Sequence, residues 1–141
     1  MEYRIITDNC CQFPENCLSN PKFSYVSSGK DFEAPSVGDY LKCMRKSEGI
    51  LIIFTLSSEI NDSYFNAMKA RHILVEEAKK EGKTPGKIFV CDSRLVTGGN
   101  TQLIPKALEI LNGGFSFSDV TTRLMLYCNR MLMDKRMLAF A

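Results

Sequence analysis

Histidine is almost missing from this chain: one among 141 residues, His72, in the middle of a predicted helix. Nucleophilic serine or cysteine chemistry needs an activating base within hydrogen-bond reach, and no Gly-x-Ser-x-Gly elbow stands in for one. Long apolar runs are also lacking; none approaches the ~20 residues that span a bilayer. There is no clustered charge of one sign. The net charge is only +2, and Lys79 and Lys80 lie among Glu76, Glu77 and Glu81, as on a solvated helix face. A basic footprint for nucleic acid is therefore absent. No basic-then-apolar leader opens the chain, so a soluble cytoplasmic protein is expected. The six cysteines do not form a recognisable framework. Cys10, Cys11 and Cys17 are the only cluster, and their spacing fits neither a zinc ribbon nor a redox CxxC pair. Cys91 falls in a predicted strand and Cys43 and Cys128 in helical patterns, where reduced thiols pack as small hydrophobes. Neither a metal nor a cofactor is expected.

What is present is an ordinary globular composition, 45% hydrophobic and 24% charged, which suits one domain with one core. The most informative stretch is ILIIFTLSSEINDSY, from Ile50 to Tyr64. Its branched apolar run reads as a strand buried on both faces, which then passes through Ser57 and Ser58 towards a helix. The same grammar occurs twice more. Arg4 to Thr7 leads into Asp8, Asn9, Cys10 and Cys11, and Lys87 to Cys91 leads into Asp92, Ser93, Arg94, Thr97, Gly98 and Gly99. If these three strands are parallel neighbours, their polar ends converge on one rim. Ligands of open parallel sheets bind there, and a helix start offers free N–H groups to an anion.

The periodicity predicts strand 3–7, an irregular stretch 8–34 with a short extra strand at Phe23 to Val26, helix 36–47, strand 50–56 and helix 61–81. Beyond it come strand 87–91, helix 100–112, helix 117–133 and strand 136–140. Alternation of this kind predicts an α/β fold, a mainly parallel sheet with helices on both faces. Ala67, Ala70, Leu74 and Ala78 form the inward stripe of the long helix. Gly82 and Pro85-Gly86 end that helix, Gly113-Gly114 ends the next, and Ser118 with Asp119 offers caps for the last. Ser36 precedes an apolar-periodic run and reads as a helix cap.

Four motifs in order, ITDNCCQFP near the start, APSVGDYL at 34–41, LSSEINDSY and CDSRLVTGG, resemble the DegV family of bacterial fatty-acid-binding proteins. The resemblance implies a carrier, not an enzyme: a protein that holds a long-chain fatty acid and in some bacteria presents its carboxylate to a fatty acid kinase. Carried over position by position, the paired serines beside the carboxylate match Ser57 and Ser58, and the acidic residue after the first strand matches Asp8. Ser36, Ser63 and Ser93 complete the expected ligand-binding set. The family's threonine before Pro-Ser aligns with Phe32, and its Ser-Gly-Thr stands here as Asn61-Asp62-Ser63. Family members run to roughly twice this length, so the resemblance implies that residues 1–141 form a single DegV-like domain, shortened, without the second domain and its basic residue and histidine; the chain is then either a fragment or a short relative whose lipid site is incomplete or is completed by another subunit. His72 does not match that histidine.

Each of these residues also has a plainer structural reading. Ser57 and Ser58 can cap the following helix, Asp8 and Asp92 can brace their loops, and Arg94 can pair with either. The alternatives to a lipid carrier are a ligand-free interaction domain and a doubly wound enzyme with a serine nucleophile. Met125, Met131, Met133 and Met137 suit either an adaptable lipid surface or the core. A missing second domain would leave apolar surface open, which predicts a homo-oligomer.

Overall fold

The computed structural model describes residues 3–8, 21–30, 33–47, 49–55, 57–93 and 100–140. Four strands, β1 (Tyr3–Asp8), β2 (Phe23–Val26), β3 (Ile50–Thr55) and β4 (Ile88–Asp92), form one sheet in the order β2-β1-β3-β4. All three pairings are parallel. Ile5 lies opposite Ile52 on β3, and Ile52 lies opposite Phe89 on β4. Every residue of β3 is buried, as a central strand with helices over both faces requires. Its apolar run has no alternation because neither face meets water.

The pleat sorts the side chains into two cores. Ile6, Leu51, Ile53, Ile88 and Val90 face helices α1 (Val37–Lys46) and α2 (Ser63–Lys80), meeting Tyr40 and Met44 from the first and Ala67 and Ala70 from the second. Small residues let α2 lie close on the sheet, and Ala67 and Ala70 are fully buried. The opposite face, carrying Ile5, Ile50, Ile52, Phe54 and Cys91, packs against α3 (Asn100–Leu111) and α4 (Phe117–Phe140) through Leu103, Ile104, Ala107, Val120 and Leu124. Helices thus cover both faces, as the alternation predicts.

The helix ends follow local chemistry. Ser36 and Asp39 form a reciprocal capping box at α1: the Asp39 amide donates to Ser36 Oγ at 3.0 Å, and the Ser36 amide to Asp39 Oδ2 at 2.9 Å. At the end of α2, Gly82 takes φ +70°, and the amides of Gly82 and Lys83 close on the carbonyls of Lys79 and Ala78. That pair of bonds needs a left-handed residue, which glycine supplies without strain.

Two expectations are corrected. Residues 136–140 are not a strand; they continue α4, which runs to Phe140. No glycine or proline interrupts Met131 to Phe140, and Met, Leu, Ala, Lys and Arg all sustain a helix once it is under way. The cap of α4 is Ser116, whose Oγ accepts from the Asp119 amide at 3.2 Å, and not Ser118 or Asp119. Ser118 lies inside the first turn, where its carbonyl accepts the Thr121 and Thr122 hydroxyls.

Candidate functional site

Because β1, β3 and β4 run parallel and in register, their carboxyl ends meet on one rim. Thr55 lies opposite Asp92, and Asp8 ends the strand on the other side of β3. The pleat turns Asp8, Thr55 and Asp92 to the face covered by α1 and α2. Asp8 is fully buried there and accepts a 2.7 Å hydrogen bond from the Tyr40 hydroxyl of α1. Asp92 Oδ1 accepts from the Ser58 amide at 3.2 Å, which ties the loop after β3 to the end of β4. Thr55 Oγ1 donates to the Cys91 carbonyl at 3.4 Å, joining the same two strands.

The serines divide by role. Ser57 is buried, and its Oγ accepts from the Glu59 amide at 3.3 Å, the local turn bond that a serine after a strand readily makes. Ser58 is half-buried and contributes its backbone to the bond with Asp92. Ser93 is fully buried beside Asp92. Ser36 is exposed at the start of α1, with its Oγ engaged in the capping box. Its segment is nevertheless drawn to the rim, because Asn66 Nδ2 in the first turn of α2 donates to the Pro35 carbonyl at 2.9 Å.

Ser63 is different from all of these. It opens α2, is fully buried, and its Oγ has no hydrogen-bond partner among the described residues. The preceding cap residue, Asp62, makes no side-chain capping bond, and no acidic residue occupies the first turn. The Ser63 amide donates to Asn61 Oδ1 at 3.0 Å, so what the start of this 18-residue helix leaves open is the positive end of the helix dipole and, among the described residues, a buried hydroxyl with nothing to bond. Such a place can take an anionic oxygen. Of the described cavities, one of about 180 Å³ reaches the rim at Asp92, lined also by Tyr64, Cys91, Met125 and Cys128. The Cys91 and Cys128 sulfurs approach to 3.5 Å on its floor.

Sequence reasoning named Ser57, Ser58, Asp92 and Ser93, which the structure places at the neighbouring ends of β3 and β4, with Asp8 one strand away; Ser36 and Ser63 do not touch in any described bond, and only the Asn66–Pro35 bond links their segments. It missed Tyr40 and Asn66. A tyrosine on the buried stripe of α1, four residues before Met44, signals a hydroxyl that must find a partner, but its partner is remote in sequence. His72 is exposed on α2 and lines a cavity with Phe65, Met68 and Ile73, on α2's outer side. Phe32, Arg94, Gly98, Gly99 and the cluster Cys10, Cys11 and Cys17 lie outside the described residues.

No protein-family model and no curated protein matches the chain. Solved structures do match. A DegV family protein from Ruminococcus gnavus, refined with vaccenic acid, superposes with a TM-score of 0.76 at 19% identity, over 89% of this chain and 54% of its own. A stearic acid-binding protein from Eubacterium ventriosum gives 0.69 at 19% identity, over 87% and 52%. The fatty acid kinase B3 protein of Streptococcus pneumoniae, loaded with linoleic acid, gives 0.70 at 21% identity, over 92% and 55%. The chain spans about half the length of these proteins. Its architecture is accordingly the fold found in one half of a DegV-family fatty-acid-binding protein.

Proposed function

We propose that this chain is a carrier domain for a long-chain fatty acid, holding the carboxylate at the start of α2 above the carboxyl ends of β1, β3 and β4. The observation that carries the reading is Ser63: a buried hydroxyl at the first residue of α2 that has no hydrogen-bond partner among the described residues. A buried anion must recover the hydrogen bonds it loses from water, and hydroxyls with free amides do that together. Ser57, Ser58, Ser36 and Ser93 are the further hydroxyls of the site. Asp8 and Asp92 shape it through Tyr40 and the Ser58 amide, since their own charges would repel a carboxylate. The bound fatty acids of the R. gnavus, E. ventriosum and S. pneumoniae proteins support this ligand class. The name of the S. pneumoniae protein supports a fatty acid kinase as the partner to which the carboxylate is presented.

The reading is of a cytoplasmic binding protein that needs no metal or cofactor and catalyses nothing itself. His72, the chain's one imidazole, lies on the outer side of α2, away from Ser57 and Ser58. Among the described residues no helix is long and apolar enough to cross a membrane.

Native mass spectrometry of the purified chain tests the proposal. A co-purifying C16–C18 acid is expected, and delipidated protein should reload with oleic acid. The Ser57→Ala/Ser58→Ala double variant should fold but hold the acid more weakly, by roughly 1 to 3 kcal/mol per charged hydrogen bond lost. A parent chain that neither carries nor reloads fatty acid leaves an interaction domain instead.

A further inference from the structure

A second polar site lies along the outer strand. Between β2 and α1 runs a groove of about 460 Å³ that receives Arg4 from β1 and Lys42 and Lys46 from α1. The two lysines are four residues apart, hence on one helix face. Four other basic residues on the helices and their ends find carboxylates, Arg45 on Glu77, Lys79 on Glu76, Lys83 on Glu81 and Lys106 on Glu109, whereas Lys69 and Lys80 have none among the described residues. Lys42 and Lys46 make no ion pair among the described residues. The groove's one acid, Asp39, already spends an oxygen on the capping box. The groove therefore holds three cations against one committed carboxylate.

Arg4 adds a geometric argument. Its Nη1 donates to the Pro21 carbonyl at 3.0 Å and to Ser24 Oγ at 3.1 Å, so the guanidinium is held in place. Its Nε is buried and has no acceptor among the described residues. A buried donor left unpaired is uncommon in folded proteins and calls for an absent partner. Cys43, also lining the groove, has its thiol pushed up by burial, against the pull of Arg4, Ser47 and Lys46. It stays neutral and cancels none of the positive charge. Tyr25, half exposed on β2, gives the groove a flat aromatic wall.

We propose that this groove binds a soluble phosphate monoester, the phosphate held among Arg4, Lys42 and Lys46 and its organic part against Tyr25. A phosphate monoester dianion carries several acceptor oxygens and about two charges at neutral pH, which suits a fixed guanidinium flanked by two mobile ammonium groups. A monocarboxylate would leave the cations repelling one another. None of the serines of the proposed fatty-acid site lines this groove, whose one link to them is the Asp39–Ser36 capping box, and the proposal does not depend on fatty acid binding.

The test is amide NMR of the full chain titrated with phenyl phosphate. Saturable shifts are expected at Ser24 to Ser27 and Lys42 to Ser47, with an affinity that falls about tenfold or more in Lys42→Gln/Lys46→Gln. Both lysines are exposed, so this variant should fold as the parent does, which circular dichroism checks. Arg4→Lys, keeping the charge but not the Nε donor, should also weaken binding. Overturning results are the absence of saturable shifts in the groove, an unchanged affinity in the lysine double variant, or binding only to phosphatidic acid vesicles and not to phenyl phosphate.

Discussion

Burying a hydroxyl without a partner costs stability, and Ser63 does so at a helix start where alanine would fit equally well. If its role is to meet a ligand oxygen, Ser63→Ala should leave the ligand-free chain as stable as the parent or more so. The same change should weaken oleic acid binding by roughly 1 to 3 kcal/mol. Urea unfolding with and without oleic acid separates the two effects, and a variant destabilised without ligand would make Ser63 a structural residue. The residue types at the rim were readable because hydroxyls and acids after apolar runs are local patterns. Their bonds were less so. Ser36 carried a legible capping signature, but Ser57 turning its oxygen to Glu59 is one of several short-range choices open to a serine. Tyr40 to Asp8 and Asn66 to Pro35 join residues more than 30 positions apart, and nothing in either neighbourhood marks the partner.

Among the elements, α1 and α2 lie side by side over the sheet, and their outer surfaces are pinned by a two-pronged contact. Arg45 donates to both oxygens of Glu77, at 2.8 and 2.9 Å. The Arg45 hydrogen bonds hold the Glu77 carboxyl below its ordinary range. A carboxyl lowered in the folded state contributes stability above its unfolded pKa, and that contribution disappears as the pH falls through the folded value. Glu77→Gln should therefore be less stable than the parent near pH 7, with the difference closing below about pH 4. The pair is half exposed, so the effect should be small and should shrink with added salt. Urea midpoints of both chains across that pH range would check it; a difference that persists in acid would assign the loss to packing. Element types were mostly legible from periodicity and from glycine placement. The end of α4 was not, because residues 136–140 are apolar enough for a buried strand, and only the uninterrupted run of helix formers before them argues otherwise.

For the molecule as a whole, the parallel sheet with two-sided cover followed from three apolar runs and the helices between them. The order β2-β1-β3-β4 did not, since nothing local tells β1 which side of β3 to take. A patch on the outer side of α2 also stays open: Phe65 and Ile73 are 50% and 36% exposed. Val37, Phe65, Met68 and Ile73 line an apolar cavity of about 440 Å³. Apolar patches of this kind mark association surfaces, and the chain should self-associate through it at micromolar concentration. Sedimentation velocity should show a dimer or larger species that Phe65→Glu returns to monomer; a monomeric parent would sink the expectation.

The central place of β3 has a consequence for how the chain is made. Synthesis delivers β1, β2, α1 and β3 first, so β3 can pair with β1 while its other edge waits for β4, which follows only after the whole of α2. During that interval a six-residue strand edge, five of its residues apolar and all hidden in the finished fold, is open to any other nascent strand. The eighteen residues of α2 are thus a delay as well as a cover, and chaperone demand should peak as they emerge from the ribosome.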